Sequence, residues 1–159
     1  MSVAFRRESD DEHLEPAFEL PIPPGPNRVT PRGAALIAAR LAGCEARVAE
    51  LLAATPQDEA AIKAARREVR YWSTRAATAE VPPPPDGSAV AFGCTVTFHH
   101  DGRQRTVTLV GDDEADPAHG LIAFAAPLAR ALVGAEPGEA CDFAGKAEAL
   151  VVETVTPAY

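Results

Sequence analysis

The chain has 159 residues, enough for one compact domain and an appendage. Hydrophobic residues make up 47% and aromatics 6%, so any core must be built mainly from Ala, Val and Leu. The formal net charge of −8 argues against a nonspecific nucleic-acid binder. Cys44, Cys94 and Cys141 are far apart and odd in number. That favours free thiols in a reducing cytoplasm over disulfides or zinc. No apolar run approaches the roughly 20 residues needed to span a bilayer. Met1 to Glu15 lacks the apolar stretch of a signal peptide.

Residues 1–29 have the composition of a disordered or extended tail. Arg6 to His13 is charged or polar, and Pro16, Pro21, Pro23, Pro24 and Pro26 follow. Phe18, Leu20 and Ile22 are interleaved with these prolines, placed to lie on the folded part or on a partner. Charge is unevenly distributed. Residues 1–29 hold three basic and six acidic side chains, residues 30–80 hold eight and six, and residues 81–159 hold four and eleven. The middle segment alone is net positive.

That segment, residues 30–81, predicts an antiparallel helical hairpin. Thr30-Pro31 reads as N-cap and first helical position. Ile37, Leu41, Cys44, Val48 and Leu51 then recur at heptad spacing. Gly43 weakens this helix by about 1 kcal/mol relative to Ala. The helix is expected to stop near Ala54. Thr55-Pro56-Gln57-Asp58 restarts it, with Thr55 as N-cap, Pro56 at the first position and Asp58 at the third. The second seam is Ile62, Ala65, Val69, Trp72, Ala76 and Ala79. Two heptad helices joined by so short a turn must be antiparallel. Lys63, Arg67 and Arg70 form a basic stripe outside the seam.

Pro82 to Pro85 breaks the helix, and residues 82–89 read as a stiff hinge. Strands are expected at Val90–His99 and Gln104–Val110, joined by the turn signal Asp101-Gly102. A dense acidic loop follows: Asp112, Asp113, Glu114 and Asp116. Leu121–Phe124 is a short strand. Pro127 opens a short apolar helix over Leu128–Val133, which Gly134 stops. Ala140–Phe143 and Leu150–Val155 complete the strands. Periodicity alone therefore gives an α+β protein with a helical hairpin.

No nucleophile motif and no Gly-rich phosphate loop is present. His99-His100 is either half of a metal site or the polar flank of a turn. The acidic loop is open to three readings: a divalent-cation site, a charged face for a basic partner, or a solvated turn.

Residues 106–134 resemble the C-terminal domain of the Gre transcript-cleavage factors. The matching positions are Val110-Gly111, Glu114-Ala115-Asp116, Gly120, Ile122, Pro127, Ala129-Arg130 and Leu132-Val133-Gly134. Thr30, Arg32 and Gly33 match the T-x-R-G that opens the family's coiled coil, and Arg66 to Trp72 resembles its second helix. One departure is Ala126, which stands where the family carries Ser before the Pro.

The resemblance implies an N-terminal coiled-coil hairpin followed by a small FKBP-like β-rich domain over residues 90–159. It implies a monomeric factor that binds RNA polymerase, reaches the nascent RNA in the elongation complex and has no catalytic activity alone. Asp112, Asp113, Glu114, Asp116, Ala126 and Pro127 would lie on the docking face. Asp58 and Glu59, the acids nearest the hairpin tip, would assist a Mg²⁺ shared with the polymerase, which activates water for cleavage of backtracked RNA. The basic stripe would steer the hairpin or contact RNA phosphates. The family's hairpin enters the secondary channel of the polymerase, and two observations favour a rival that occupies that channel without stimulating cleavage. The family's D-x-x-E-N-A-x-Y tip signature is missing, and aligned by T-x-R-G the hairpin is about two turns, roughly 11 Å, shorter than usual. A prolyl isomerase is a third reading, but it requires an aromatic-lined pocket, and fold alone does not confer activity.

Overall fold

A computed structural model describes residues 18–159. Helix α1, Pro31–Ala53, starts as the sequence predicts: the Thr30 hydroxyl accepts from the Gly33 N–H at 2.9 Å, and Pro31 takes the first position. Helix α2, Glu59–Thr78, starts three residues later than expected. Asp58, not Thr55, is its N-cap, accepting from the Ala61 N–H at 3.0 Å. The inter-helix turn instead holds the Gln57 amide, which donates to the Leu52 carbonyl at 2.8 Å.

The two helices pack against each other over their length. The first seam is the sheltered face of α1, with Ile37 and Leu51 buried and Leu41, Cys44 and Val48 half-buried. Near the tip, Leu51, Ile62 and Ala65 make a small core of their own, with Val48 and Ala61 against it. Toward the base, the expected second seam gives way. Ala76 is exposed and Trp72 only half-buried, edge-on to Tyr71 at 5.0 Å. Arg75 is buried instead.

Beyond the helices stands one five-stranded sheet. In chain order its strands are β1 Cys94–His100, β2 Arg103–Val110, β3 Leu121–Ala123, β4 Ala140–Phe143 and β5 Lys146–Pro157. Their order across the sheet is β3-β2-β1-β5-β4, antiparallel except for the parallel pair β2–β3. The turn at Asp101-Gly102 has both residues at positive φ, 49° and 73°, as a tight hairpin between twisted strands requires. The short helix α3, Pro127–Leu132, covers one face. Cys94, Val96, Phe98, Leu109, Leu150, Val152, Ala129 and Leu132 fill the core between them. The opposite face carries threonines, paired across β1 and β2 as Thr95–Thr108 and Thr97–Thr106.

The chain between the two parts is tied down. Tyr159 donates to the Pro82 carbonyl at 3.2 Å, and its ring lies where any side chain at Gly93 would stand. The leader is tied down too. Residues 18–29 run alongside α2, and Arg28 pairs with Glu80 in a parallel bridge. Val29 and Asn27 are buried, so the folded body begins before Thr30. The expected tail over residues 1–17 lies outside the described residues.

Candidate functional site

The acidic loop forms two single turns of 3-10 helix, Asp112–Glu114 and Pro117–His119, set against the base of the hairpin. Only Gly fits at 111, because a side chain there would lie 2.5 Å from the Arg28 carbonyl. The loop's four acids divide. Asp113 turns inward: its carboxylate accepts from Arg75 Nε at 2.5 Å and from the Tyr71 hydroxyl at 2.5 Å. The Arg75 and Asp113 side chains are 2% and 6% exposed. Glu114 also turns inward, accepting from the Thr30 hydroxyl at 2.5 Å, with Arg32 3.8 Å away. Gly33 leaves the room for it, since a side chain there would meet Glu114 Oε2 at 2.7 Å.

Thr30 is thus a relay. Its oxygen accepts from the first turn of α1 while its proton goes to Glu114. The two separated sequence matches, T-x-R-G and E-A-D, meet at this contact. Burial makes these pairs structurally demanding, because a buried charge is tolerated only when it is matched and hydrogen-bonded. Burial first, then the bond to Asp113, pushes the Tyr71 phenol up to about 12. Asn27 completes the clamp by donating to the Arg75 carbonyl at 2.8 Å and to the Thr78 hydroxyl at 3.1 Å.

Of the six residues expected on a docking face, Asp113 and Glu114 therefore spend their charge inside the molecule. Asp112 lies 3.9 Å from Arg75 Nη2 and stays one-third exposed. Asp116 faces outward and pairs with His119 at 2.6 Å. Ala126 is half-buried and caps α3 with no side-chain hydrogen bond, the direct result of lacking the hydroxyl; Pro127 is exposed.

At the far end of the hairpin, Asp58 and Glu59 are both exposed. Asp58 Oδ1 is occupied by its cap. What is left, one Asp oxygen and the Glu59 carboxylate, suits completion of a shell held elsewhere but is too few ligands to hold a hard cation alone. Among the described residues, no three metal-ligating side chains converge. His99 pairs with Glu153 at 3.2 Å and His100 with Asp101 at 3.5 Å, so the two rings serve separate contacts.

The basic stripe is only partly open. Lys63 is exposed. Arg70 grips Glu19 through two bonds, 2.6 and 3.0 Å, which hold the Glu19 carboxyl below its ordinary range, and Arg67 Nη1 donates to the Phe18 carbonyl at 3.5 Å.

Sequence reasoning missed Asn27, Tyr71 and Arg75. Tyr71 and Arg75 carried a signal: at i and i+4 they share one helix face, immediately beside the seam.

Residues 84–156 match the family described as "Transcription elongation factor, GreA/GreB, C-term", and that part of the chain belongs to it. GreA of Thermomicrobium roseum is 40% identical over 86 residues, 54% of this chain and 55% of that protein. GreB of Neisseria meningitidis serogroup B is 40% identical over 77 residues, 46% and 47% of the two chains. The chain thus spans about half the length of the curated relatives it matches. A GreA/GreB elongation factor of Nitrosomonas europaea aligns over 84% of this chain and 99% of its own, at 20% identity and a TM-score of 0.39. Gfh1 of Thermus thermophilus aligns over 81% and 97%, at 18% identity and a TM-score of 0.37.

Proposed function

We propose that the chain is a Gre-type elongation factor that has no catalytic activity of its own. It docks on RNA polymerase through the sheet domain and inserts its hairpin into the secondary channel. There it promotes cleavage of backtracked transcripts. The observation that carries this reading is the junction: a GreA/GreB C-terminal domain clamped to a helical hairpin whose far end presents two exposed acids. Asp112, Asp116 and Pro127 supply the docking contacts, while Asp113 and Glu114 hold the hairpin in place. Asp58 and Glu59 complete the coordination of a Mg²⁺ held by the polymerase, which lowers the pKa of bound water. Nascent RNA is the substrate of that reaction.

A second reading is favoured by the tip itself. Asp58 already serves as the N-cap, and α2 is only 20 residues, about 30 Å long. On this reading the hairpin fills the channel without delivering carboxylates to the metal.

Stalled, backtracked elongation complexes separate the two. The first reading expects Mg²⁺-dependent shortening of the RNA. The double variant Asp58→Asn, Glu59→Gln keeps shape and capping, and it should lose shortening while binding polymerase normally. Wild-type protein that competes with an authentic Gre factor for polymerase yet leaves the RNA intact would establish the second reading instead.

A further inference from the structure

The leader does more than precede the hairpin. Residues 18–22 form no helix, strand or turn, yet they touch α2 at two points, through the Glu19 carboxylate and the Phe18 carbonyl. Glu19 faces α2 and meets Arg70; Phe18, Leu20 and Ile22 are 75%, 42% and 44% exposed. The segment is anchored at its far end by Asn27, Val29 and the Arg28–Glu80 bridge. It is therefore a strap, fixed at the base of the hairpin and laid along α2.

The groups it covers are two of the three in the basic stripe. A carboxylate held by a guanidinium through two parallel bonds has the geometry with which the same guanidinium holds a phosphate. Arg67, one helical turn away, is met by the Phe18 carbonyl. We propose that Phe18–Ile22 is a displaceable cover in which Glu19 and the Phe18 carbonyl stand in for the phosphate oxygens of single-stranded RNA. Strap seating and RNA binding on α2 then exclude one another. The proposal deepens the elongation-factor reading and rests on it for its RNA partner.

Two features make the cover removable. The Arg70 and Glu19 side chains are 54% and 61% exposed, so their pairing is weak and salt-sensitive. Anchoring keeps it closed at rest, because a tethered partner acts at an effective concentration on the order of millimolar. RNA inside an elongation complex is likewise held locally, and displaces the strap on equal terms.

The test uses the full chain and a short fluorescent single-stranded RNA, followed by anisotropy at low salt, in wild type, Glu19→Gln, Arg70→Gln and the double variant. Glu19→Gln should tighten RNA binding about two- to five-fold, the range expected of an exposed ion pair. In the Arg70→Gln background the same change should have no effect. In wild type, RNA should also speed hydrogen exchange at residues 18–22. Equal tightening in both backgrounds would mean general charge repulsion and overturn the proposal. So would the absence of RNA binding in every variant, or exchange at 18–22 unchanged by bound RNA. Polymerase affinity, measured on the same four proteins, judges the elongation-factor reading separately. Normal polymerase binding without RNA binding sinks the strap alone; RNA gated by the strap without polymerase binding sinks the elongation-factor reading alone.

Discussion

Asp113 shows how far a single side chain can depart from the role its neighbourhood suggests. Four acids within five positions read as an outward-facing charge patch, and composition gives no means of telling which will turn inward. The deciding group is 38 residues away: Arg75, buried beside the seam, requires a carboxylate. Removing that carboxylate leaves the buried guanidinium without its hydrogen-bonded partner, with only the looser Asp112 contact at 3.9 Å. Asp113→Ala should therefore cost about 3–5 kcal/mol of stability in urea unfolding, far more than an exposed acid would. Tyr71 gives a second handle on the same contact. Its phenol rises from 10.0 to about 12 on folding, because burial and then the bond to Asp113 favour the protonated form. The stability it supplies is complete below about pH 10 and is lost as the pH climbs through about 12. Tyrosinate absorbance in a Tyr159→Phe background should show Tyr71 resisting ionisation until that range, and Asp113→Ala should shift its titration down.

The helices were the most legible elements. Heptad spacing, the Thr30-Pro31 start and the antiparallel turn all follow from local rules, and α1 ends one residue from its expected limit. The start of α2 was misplaced because Thr55-Pro56 and Asp58 offer competing signals. Asp58 wins, since its carboxylate satisfies the Ala61 N–H directly. The base of the second seam failed for a different reason: its partner surface is the acidic turn, a long-range contact no heptad encodes. Gly43 lies inside α1 with no atom within 4 Å of an added methyl. Gly43→Ala should raise stability by about 1 kcal/mol in thermal or urea unfolding, with no change in fold. The strands were legible from alternation, Cys94, Val96 and Phe98 being buried as their spacing requires, but β1 starts at Cys94 rather than Val90, and Phe92 is buried in the turn before it. The parallel pairing of β2 with β3 was not, because it depends on how the acidic loop doubles back.

At the scale of the molecule, the leader from Phe18 onward lies along α2 and is buried at Asn27 and Val29. What composition leaves open as disordered or extended is thus decided by a surface elsewhere in the chain. Proline and charge predict a chain that cannot build its own core, which is correct, but such a chain can still lie on a surface built by others. The proposed docking face is testable at this scale, because Asp116 points away from the clamp that Asp113 and Glu114 make within the same loop. Asp116→Lys reverses an outward charge and leaves the Asp113 and Glu114 contacts untouched. It should weaken binding to core polymerase in interferometry without lowering the unfolding midpoint; unchanged affinity removes Asp116 from the interface.

The clamp has a mechanical consequence. Among the described residues the hairpin packs on the acidic turn near its base, so it is a cantilever with its far end about 30 Å from that support. A tilt of about 5° at the junction swings that end by about 3 Å over a helix of this length. Misplacement by about 1 Å is enough to cost a reaction on the order of a hundredfold in rate. On the proposed function, the stiffness of the joint made by Arg75, Asp113 and Thr30 would set the aim of Asp58 and Glu59 as firmly as the residues of the tip do, and lengthening the helices would magnify any looseness there in proportion.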